Sequence, residues 1–424
     1  MPDRRRGRVR DVATIRPFRA LRPPRELVEA VAAPPYDVVD TAEAAALAAG
    51  NPDSFLHVTR PEIDLADADP HSEAAYAQAR TALADAVTKG ALVARGPAVL
   101  VYRQEMTIRL GERAVAASQT GVVGCVSTAE YRAGVIATHE FTRPDKEDDR
   151  TRHIDTLGAH DEPVMLMYRT DQPGAAQVGA VVAEVTAGEP EYAFEADGVR
   201  HTLWEVSDAG QVTRLVEGFE RIDTLYVADG HHRCAAAARV AERRAEPEAA
   251  YFPATVLAAD QLTVLAYHRV VADRAGLDTP DFLAALEGAF AVEPVDQAPD
   301  PARHQLGVYT DGRWYLLTAR PGVVDEQDPI ARLDVAVLTE RVLVPVLGIT
   351  DQRTDRRITF VGGIRGTDEL VRRVDQLPAG VAFALPATTT ADVMDVADLG
   401  EVMPPKSTWF EPKLRSGLFV HPFA

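Results

Sequence analysis

TLYVADGHHRCAAAARVAERR, residues 224–244, reads as a strand, a tight turn and a helix in immediate succession. Leu225-Tyr226-Val227-Ala228 is a continuous apolar run of the kind that fills a short buried strand. Cys234 to Arg244 is alanine-rich and built from strong helix formers. Between them Asp229-Gly230-His231-His232-Arg233 must turn the chain, and Gly230 supplies the conformational freedom. Asp229 is the expected helix N-cap. The first helical turn presents unpaired N–H groups and the positive end of the helix dipole. Arg233 adds a planar, permanently charged fork, so the turn is a recipe for holding a phosphate or carboxylate. Arg233 itself is expected to begin the helix without packing in the core. Adjacent histidines on a helix diverge by about 100°, which argues against their sharing one metal ion.

Around this stretch the composition sets limits. The chain has 424 residues, enough for two or three domains, with a hydrophobic fraction of 46% and a charged fraction of 26% that fit a globular protein. The formal net charge of −19 opposes binding to nucleic acid or to an anionic membrane surface, though not a local basic pocket. Two cysteines, Cys125 and Cys234, give neither a disulfide framework nor a zinc signature and fit a reducing cytoplasm. The basic start, residues 1–11, lacks a following apolar segment, so a frayed tail is expected rather than a secretory signal. The expected organisation is a catalytic region at 12–270, an α/β domain at 271–402 and a tail at 403–424 that docks back near the site. The sequence sets no oligomeric state.

Outward from the turn, strands are expected at Val12–Phe18, Ser54–Arg60, Val164–Tyr168 and Val381–Leu385. Ser72–Lys89 and Thr151–Gly158 read as helices. Glu105–Leu110 and Arg113–Gln119 read as a hairpin around Gly111. Asp311-Gly312 reads as the turn of a second hairpin. The implied class is α+β, with mixed sheets and surrounding helices.

Four stretches carry more polar chemistry than loops require. Pro35-Tyr36-Asp37 holds an aromatic and a carboxylate on a proline-stiffened backbone. His139 to Arg150 places His139 and Glu140 after a β-branched segment, and Lys146 and Arg150 four residues apart on a helix face. The Asp229–Arg233 turn is the third. Lys406-Ser407-Thr408 is the fourth, with Trp409-Phe410 favouring a docked rather than frayed tail. Together they supply carboxylates (Asp37, Glu140, Asp149, Asp229), cations (Lys146, Arg150, Arg233, Lys406) and histidines (His139, His231, His232). Phosphoryl transfer needs that mixture, with cations on the transferring oxygens, a carboxylate holding Mg²⁺ and another taking the proton of the attacking hydroxyl. There is no Walker A motif and no G-x-G-x-x-G. A metal-dependent hydrolase using His139, Glu140, His231 and His232, or a non-catalytic nucleotide sensor, uses the same residues differently.

APPYDVV (33–39), NPDSFLHVTRPEID (51–64), HEFTRPDKEDDR (139–150), ADGHHR (228–233) and MPPKSTWFEPK (403–413) together resemble a large bacterial and archaeal family catalogued as a domain of unknown function. The ADGHHR turn is also similar to the phosphate-binding turn of the ParB/sulfiredoxin-like fold, some of whose members are kinases of free serine. The resemblance implies a ParB/sulfiredoxin-like core elaborated by insertions. It implies a nucleotide-dependent kinase of a small metabolite, with free L-serine giving O-phosphoserine and ATP or ADP with Mg²⁺ as cofactors. Gly230, His231, His232 and Arg233 would hold phosphates, helped by Lys146, Arg150, Lys406, Ser407 and Thr408. Glu140 or Asp37 would be the base, with His139 and Asp229 completing the catalytic set and Asp149 holding the metal. The implied partners are a nucleotide and a small-molecule substrate.

Overall fold

Leu225, Tyr226, Val227 and Ala228 are all at most 4% exposed, which is what a strand covered on both faces requires. The computed structural model describes residues 12–66, 68–110 and 113–424. The expected tail at 1–11 and the Gly111 tip of the first hairpin lie outside them. The chain forms two compact units. One takes in the chain up to Met106, Ser118–Leu262 and Pro412–Ala424, and the other takes in Thr107–Ala117 and Thr263–Glu411.

The first unit is built on an eight-stranded sheet. Its strands in chain order are β1 (Val99–Leu110), β2 (Arg113–Ser127), β3 (Ile136–Ala137), β4 (Val164–Tyr168), β5 (Tyr192–Ala196), β6 (Val199–Val206), β7 (Leu225–Asp229) and β8 (Tyr251–Ala258). They lie in the order β3-β7-β4-β8-β2-β1-β6-β5. The sheet is mixed: β7 runs parallel to β3 and antiparallel to β4, while β8 runs parallel to β4 and antiparallel to β2. The unit's longer helices are α1 (Glu73–Thr88), α2 (Pro144–Leu157), α3 (Ala175–Thr186), α4 (Ala209–Phe219) and α5 (His231–Arg243). Val178, Val181, Leu215 and Phe219 from α3 and α4, with Cys234 and Ala237 from α5, join Val99, Val101, Leu166 and Val227 in one core. The alanine run of α5 buries Ala235, Ala236, Ala237 and Ala238, and these small side chains let α5 approach α2 closely.

The second unit carries a six-stranded antiparallel sheet: β9 (Tyr267–Val271), β10 (Phe290–Val295), β11 (Gln305–Thr310), β12 (Arg313–Ala319), β13 (Ile358–Gly362) and β14 (Val381–Ala384), ordered β10-β12-β11-β14-β9-β13. Asp311 and Gly312, with φ of 49° and 73°, make the expected left-handed two-residue turn between β11 and β12. The class is α+β, as expected.

Three expectations are corrected. Ser54–Arg60 is no strand; its centre, Leu56–Thr59, is one helical turn. Val12–Phe18 contributes only isolated bridges, at Arg16 and Phe18. The helix expected at Thr151–Gly158 begins at Pro144, so the charged run 145–150 is helical. Pro144 occupies the first helical position, where its missing N–H costs nothing.

Candidate functional site

A register shift between Val227 and Asp229 bends the end of β7. Gly230 follows at φ 99°, ψ 31°, and a Cβ there would come within 3.1 Å of both Val164 and Arg233. Gly230, and not Asp229, is the N-cap of α5, and no side chain caps this helix. The first-turn amides of α5 are therefore left for a ligand or water.

Asp229 has another task. Its Oδ1 accepts from Lys413 Nζ at 3.0 Å and its Oδ2 from Arg233 Nη2 at 2.9 Å. Burial pushes its carboxyl up, but Lys413 and then Arg233 outweigh it and bring it down to about 2. Arg233 is only 6% exposed, which corrects the expectation that it need not pack. Its Nη1 donates to the Pro163 carbonyl, so both terminal nitrogens of the fork bond within the protein, while its buried Nε has no hydrogen-bond partner. Glu162, Asp37 and Asp229 surround the guanidinium and outweigh the burial that opposes its charge.

Glu162, which the sequence reading did not single out, lies at the centre of this cluster. It is 5% exposed, and its Oε1 accepts from the Tyr36 N–H at 3.0 Å and from Ser416 Oγ at 2.5 Å. Both bonds fall on one oxygen, which leaves Oε2 for a proton. Burial pushes the carboxyl up to about 7; Arg233 opposes this, and Asp161 and Asp37 add to it. Neither Lys413 nor Ser416 was assigned a role from the sequence.

Arg150 and Tyr36 line the same cluster. The Arg150 guanidinium lies 4.0 Å from the centre of the Tyr36 ring, and its buried Nη1 has no protein partner. Asp149 does not fit the metal-ligand role expected of it. Its Oδ1 accepts from Tyr76 Oη and His71 Nδ1, each at 2.8 Å, and its Oδ2 from Arg150 Nε at 2.9 Å. Burial pushes it up, yet these donors bring it to about 2, and Asp149 orients Arg150 instead. Asp37, another carboxylate of this cluster, is exposed.

His139 and His231 meet edge to face, with centroids 4.5 Å apart. Burial lowers His139 to about 4, and burial with His139 alongside holds His231 well below its ordinary value, so both are neutral. Glu140, its side chain 45% exposed, reaches His231 Nδ1 only at 4.0 Å. Among the described residues no group of three or more His, Cys, Asp or Glu is arranged to hold a metal. His232 Nε2 accepts the Arg143 N–H at 3.0 Å and so ties the start of α5 to the start of α2. Lys146 is partly exposed in the first turn of α2.

Lys406, Ser407 and Thr408 belong to the second unit. Lys406 is exposed with φ 56°, and its ammonium lies 5.4 Å from the Tyr267 ring. Ser407 is buried and gives its hydroxyl to the Pro404 carbonyl at 2.6 Å, so it holds the turn and is not free for phosphate. The loop is braced by Arg269, whose Nη2 donates to the Pro405 carbonyl at 2.8 Å.

An α+β protein with an uncapped helix start beside a buried, nearly neutral carboxylate is thus defined by its own geometry. The chain belongs to the family described as "Protein of unknown function (DUF1015)", whose model matches residues 15–336. No curated protein matches it. Among solved structures it is similar to a conserved hypothetical protein from Pyrococcus furiosus, at 15% identity and a TM-score of 0.35, over 70% of this chain and 95% of that one. It is similar to a free serine kinase in complex with AMP, at 13% identity and a TM-score of 0.33, over 68% and 86%. It is similar also to SbnI with C-terminal truncation from Staphylococcus aureus, at 11% identity and a TM-score of 0.38, over 70% and 87%. Likenesses this distant carry no argument about chemistry. Among the described residues no helix is long and apolar enough to cross a membrane.

Proposed function

We propose that this chain is a nucleotide-dependent phosphotransferase with a ParB/sulfiredoxin-like core, acting on the hydroxyl of a small metabolite. Free L-serine is the acceptor and ATP or ADP the donor to test first. The observation that supports this most is Glu162, held at the edge of the Gly230 turn with a proton affinity near neutrality. In this reading the amides of His231 and His232, with the helix dipole behind them, hold the donor's phosphates. Glu162 Oε2 takes the proton of the acceptor hydroxyl as its oxygen bonds to the transferring phosphorus and the bond to the nucleotide's bridging oxygen breaks. Arg233 keeps Glu162 from becoming too basic, and the buried Arg150 Nη1 faces developing charge. Magnesium, when bound, would neutralise phosphoryl oxygens, with Asp37 as its protein carboxylate. Lys146 is a further candidate for phosphate contact.

The test is to incubate the protein with Mg²⁺, ATP or ADP, and a panel of hydroxy amino acids, following products by phosphorus NMR. O-phosphoserine is expected. Glu162→Gln is expected to slow turnover by about 10²–10⁴-fold while nucleotide still binds. Nucleotide binding without turnover in the wild type, with every acceptor, would convert the reading to a sensor.

A further inference from the structure

Between α3 and the sheet of the first unit lies a cavity of about 300 Å³ that the phosphotransferase reading does not use. Tyr168, the last residue of β4, is part of its lining, whereas Glu162 precedes the start of that strand. Val122, Val178, Val182 and Val256 give it apolar walls. Gly179 lines it from the middle of α3, and a Cβ there would meet no neighbouring atom within 4 Å. Glycine is a poor helix former, and here its missing side chain leaves the volume open.

Val99, Val101 and Arg103 alternate onto one face of β1. The valines join the core, and the arginine lines the cavity. Its Nε donates to Thr120 Oγ1 at 3.0 Å, and its guanidinium carbon lies 5.2 Å from the centre of the Trp204 ring. Among the described residues no carboxylate pairs with it, and its terminal nitrogens have no hydrogen-bond partner. Tyr168 is only 4% exposed, and its hydroxyl also lacks a hydrogen-bond partner among the described residues. Burial, then Asp260, pushes the phenol up to about 12, so it keeps its proton to donate. Gln261 Oε1 accepts the Thr120 N–H at 2.9 Å, which leaves the side-chain NH₂ as its donor. Thr120 Oγ1 accepts from Arg103 and retains its own proton, while Thr186 gives its proton to the Ala183 carbonyl at 3.4 Å. The polar lining is therefore rich in donors, carries one fixed positive charge and contains no carboxylate. Asp260 is exposed and outside the lining, so water screens it, but its charge opposes a second negative charge nearby.

We propose that this cavity binds a small monocarboxylate with a compact apolar body. Its carboxylate accepts from Arg103, Tyr168 and Gln261, and its body covers the valines. The guanidinium fork matches a carboxylate, and the volume is in the range of small-molecule sites.

The test uses isovalerate and benzoate as probes, with isovaleramide and benzamide as neutral controls and succinate as the doubly charged one. Each is titrated into the ¹⁵N-labelled full chain. The Gln261 side-chain amide signals are expected to shift saturably with the two monocarboxylates, and at least tenfold more weakly with the amides and succinate. Arg103→Met is expected to weaken monocarboxylate binding about ten- to hundredfold, the loss of charge-assisted hydrogen bonds, and to remove the preference over the amides. Gly179→Leu is expected to fill the cavity and abolish the shifts without lowering the melting temperature, because leucine is the better helix former. Should that variant be destabilised, Ala183→Leu closes the cavity from another exposed position on α3. Shifts that are absent, that the amides or succinate reproduce, that keep their carboxylate preference in Arg103→Met, or that survive both leucine variants overturn the proposal.

Discussion

Arg233 and Arg269 are both buried, at 6% and 0% exposure, yet their surroundings differ in kind. Arg233 sits among Asp229, Glu162 and Asp37, and this negative environment stabilises its charge. Arg269 donates to the carbonyls of Tyr267 and Pro405, with its ring-face neighbour Phe360 5.0 Å away. Burial lowers it to about 9, still protonated at neutral pH. The first arginine tunes other titrating groups. The second braces a loop through carbonyl dipoles, and the titrating group it bears on is its chain neighbour His268, whose imidazole it helps to lower. What separates the two arginines is the set of carboxylates around the first.

The comparison is broken most directly by removing each charge. Arg233→Ala leaves Asp229 and Glu162 buried without their shared cation and should cost about 3–5 kcal/mol in urea unfolding. Arg233→Lys should recover part of this. A near-native Arg233→Ala protein would put the two arginines in the same class.

Glu162 gives a sharper, pH-resolved version. Its folded pKa of about 7 lies above the ordinary 4.5, so the native state holds the extra proton between these values. Its contribution to stability is complete below pH 4.5 and falls as pH rises through 7, by up to about 3 kcal/mol. Glu162→Gln should flatten that slope in pH-dependent melts, and Arg269→Met should leave it unchanged. The smallest effect is that of Arg269→Met on stability, about 1–3 kcal/mol from two carbonyls losing their donor, offset by relief of a buried charge. A loss as large as that of Arg233→Ala would show that Arg269 is paired after all.

The strand, turn and helix at 225–243 were legible because each element announces itself locally, through an apolar run, a glycine and an alanine-rich segment. Ser54–Arg60 misled because three buried apolar side chains in seven residues suit a strand or a helical turn equally. In the site, Gly230 and the histidines were legible, but the destination of the Arg233 fork was not. Glu162 had no local signal. Its partners are Tyr36, 126 residues earlier, and Ser416, 254 residues later, so only the folded chain brings them together.

That separation also has a consequence in time. Asp229 leaves the ribosome 184 residues before Lys413, which at ~5–20 residues per second is a delay on the order of ten to forty seconds. Until then the nascent turn holds Asp229 without its lysine, and Glu162 without its serine. The site is therefore assembled last, by the arriving C-terminal segment, and a chain that ends before Lys413 leaves Asp229 with Arg233 as its local counterion and without its lysine.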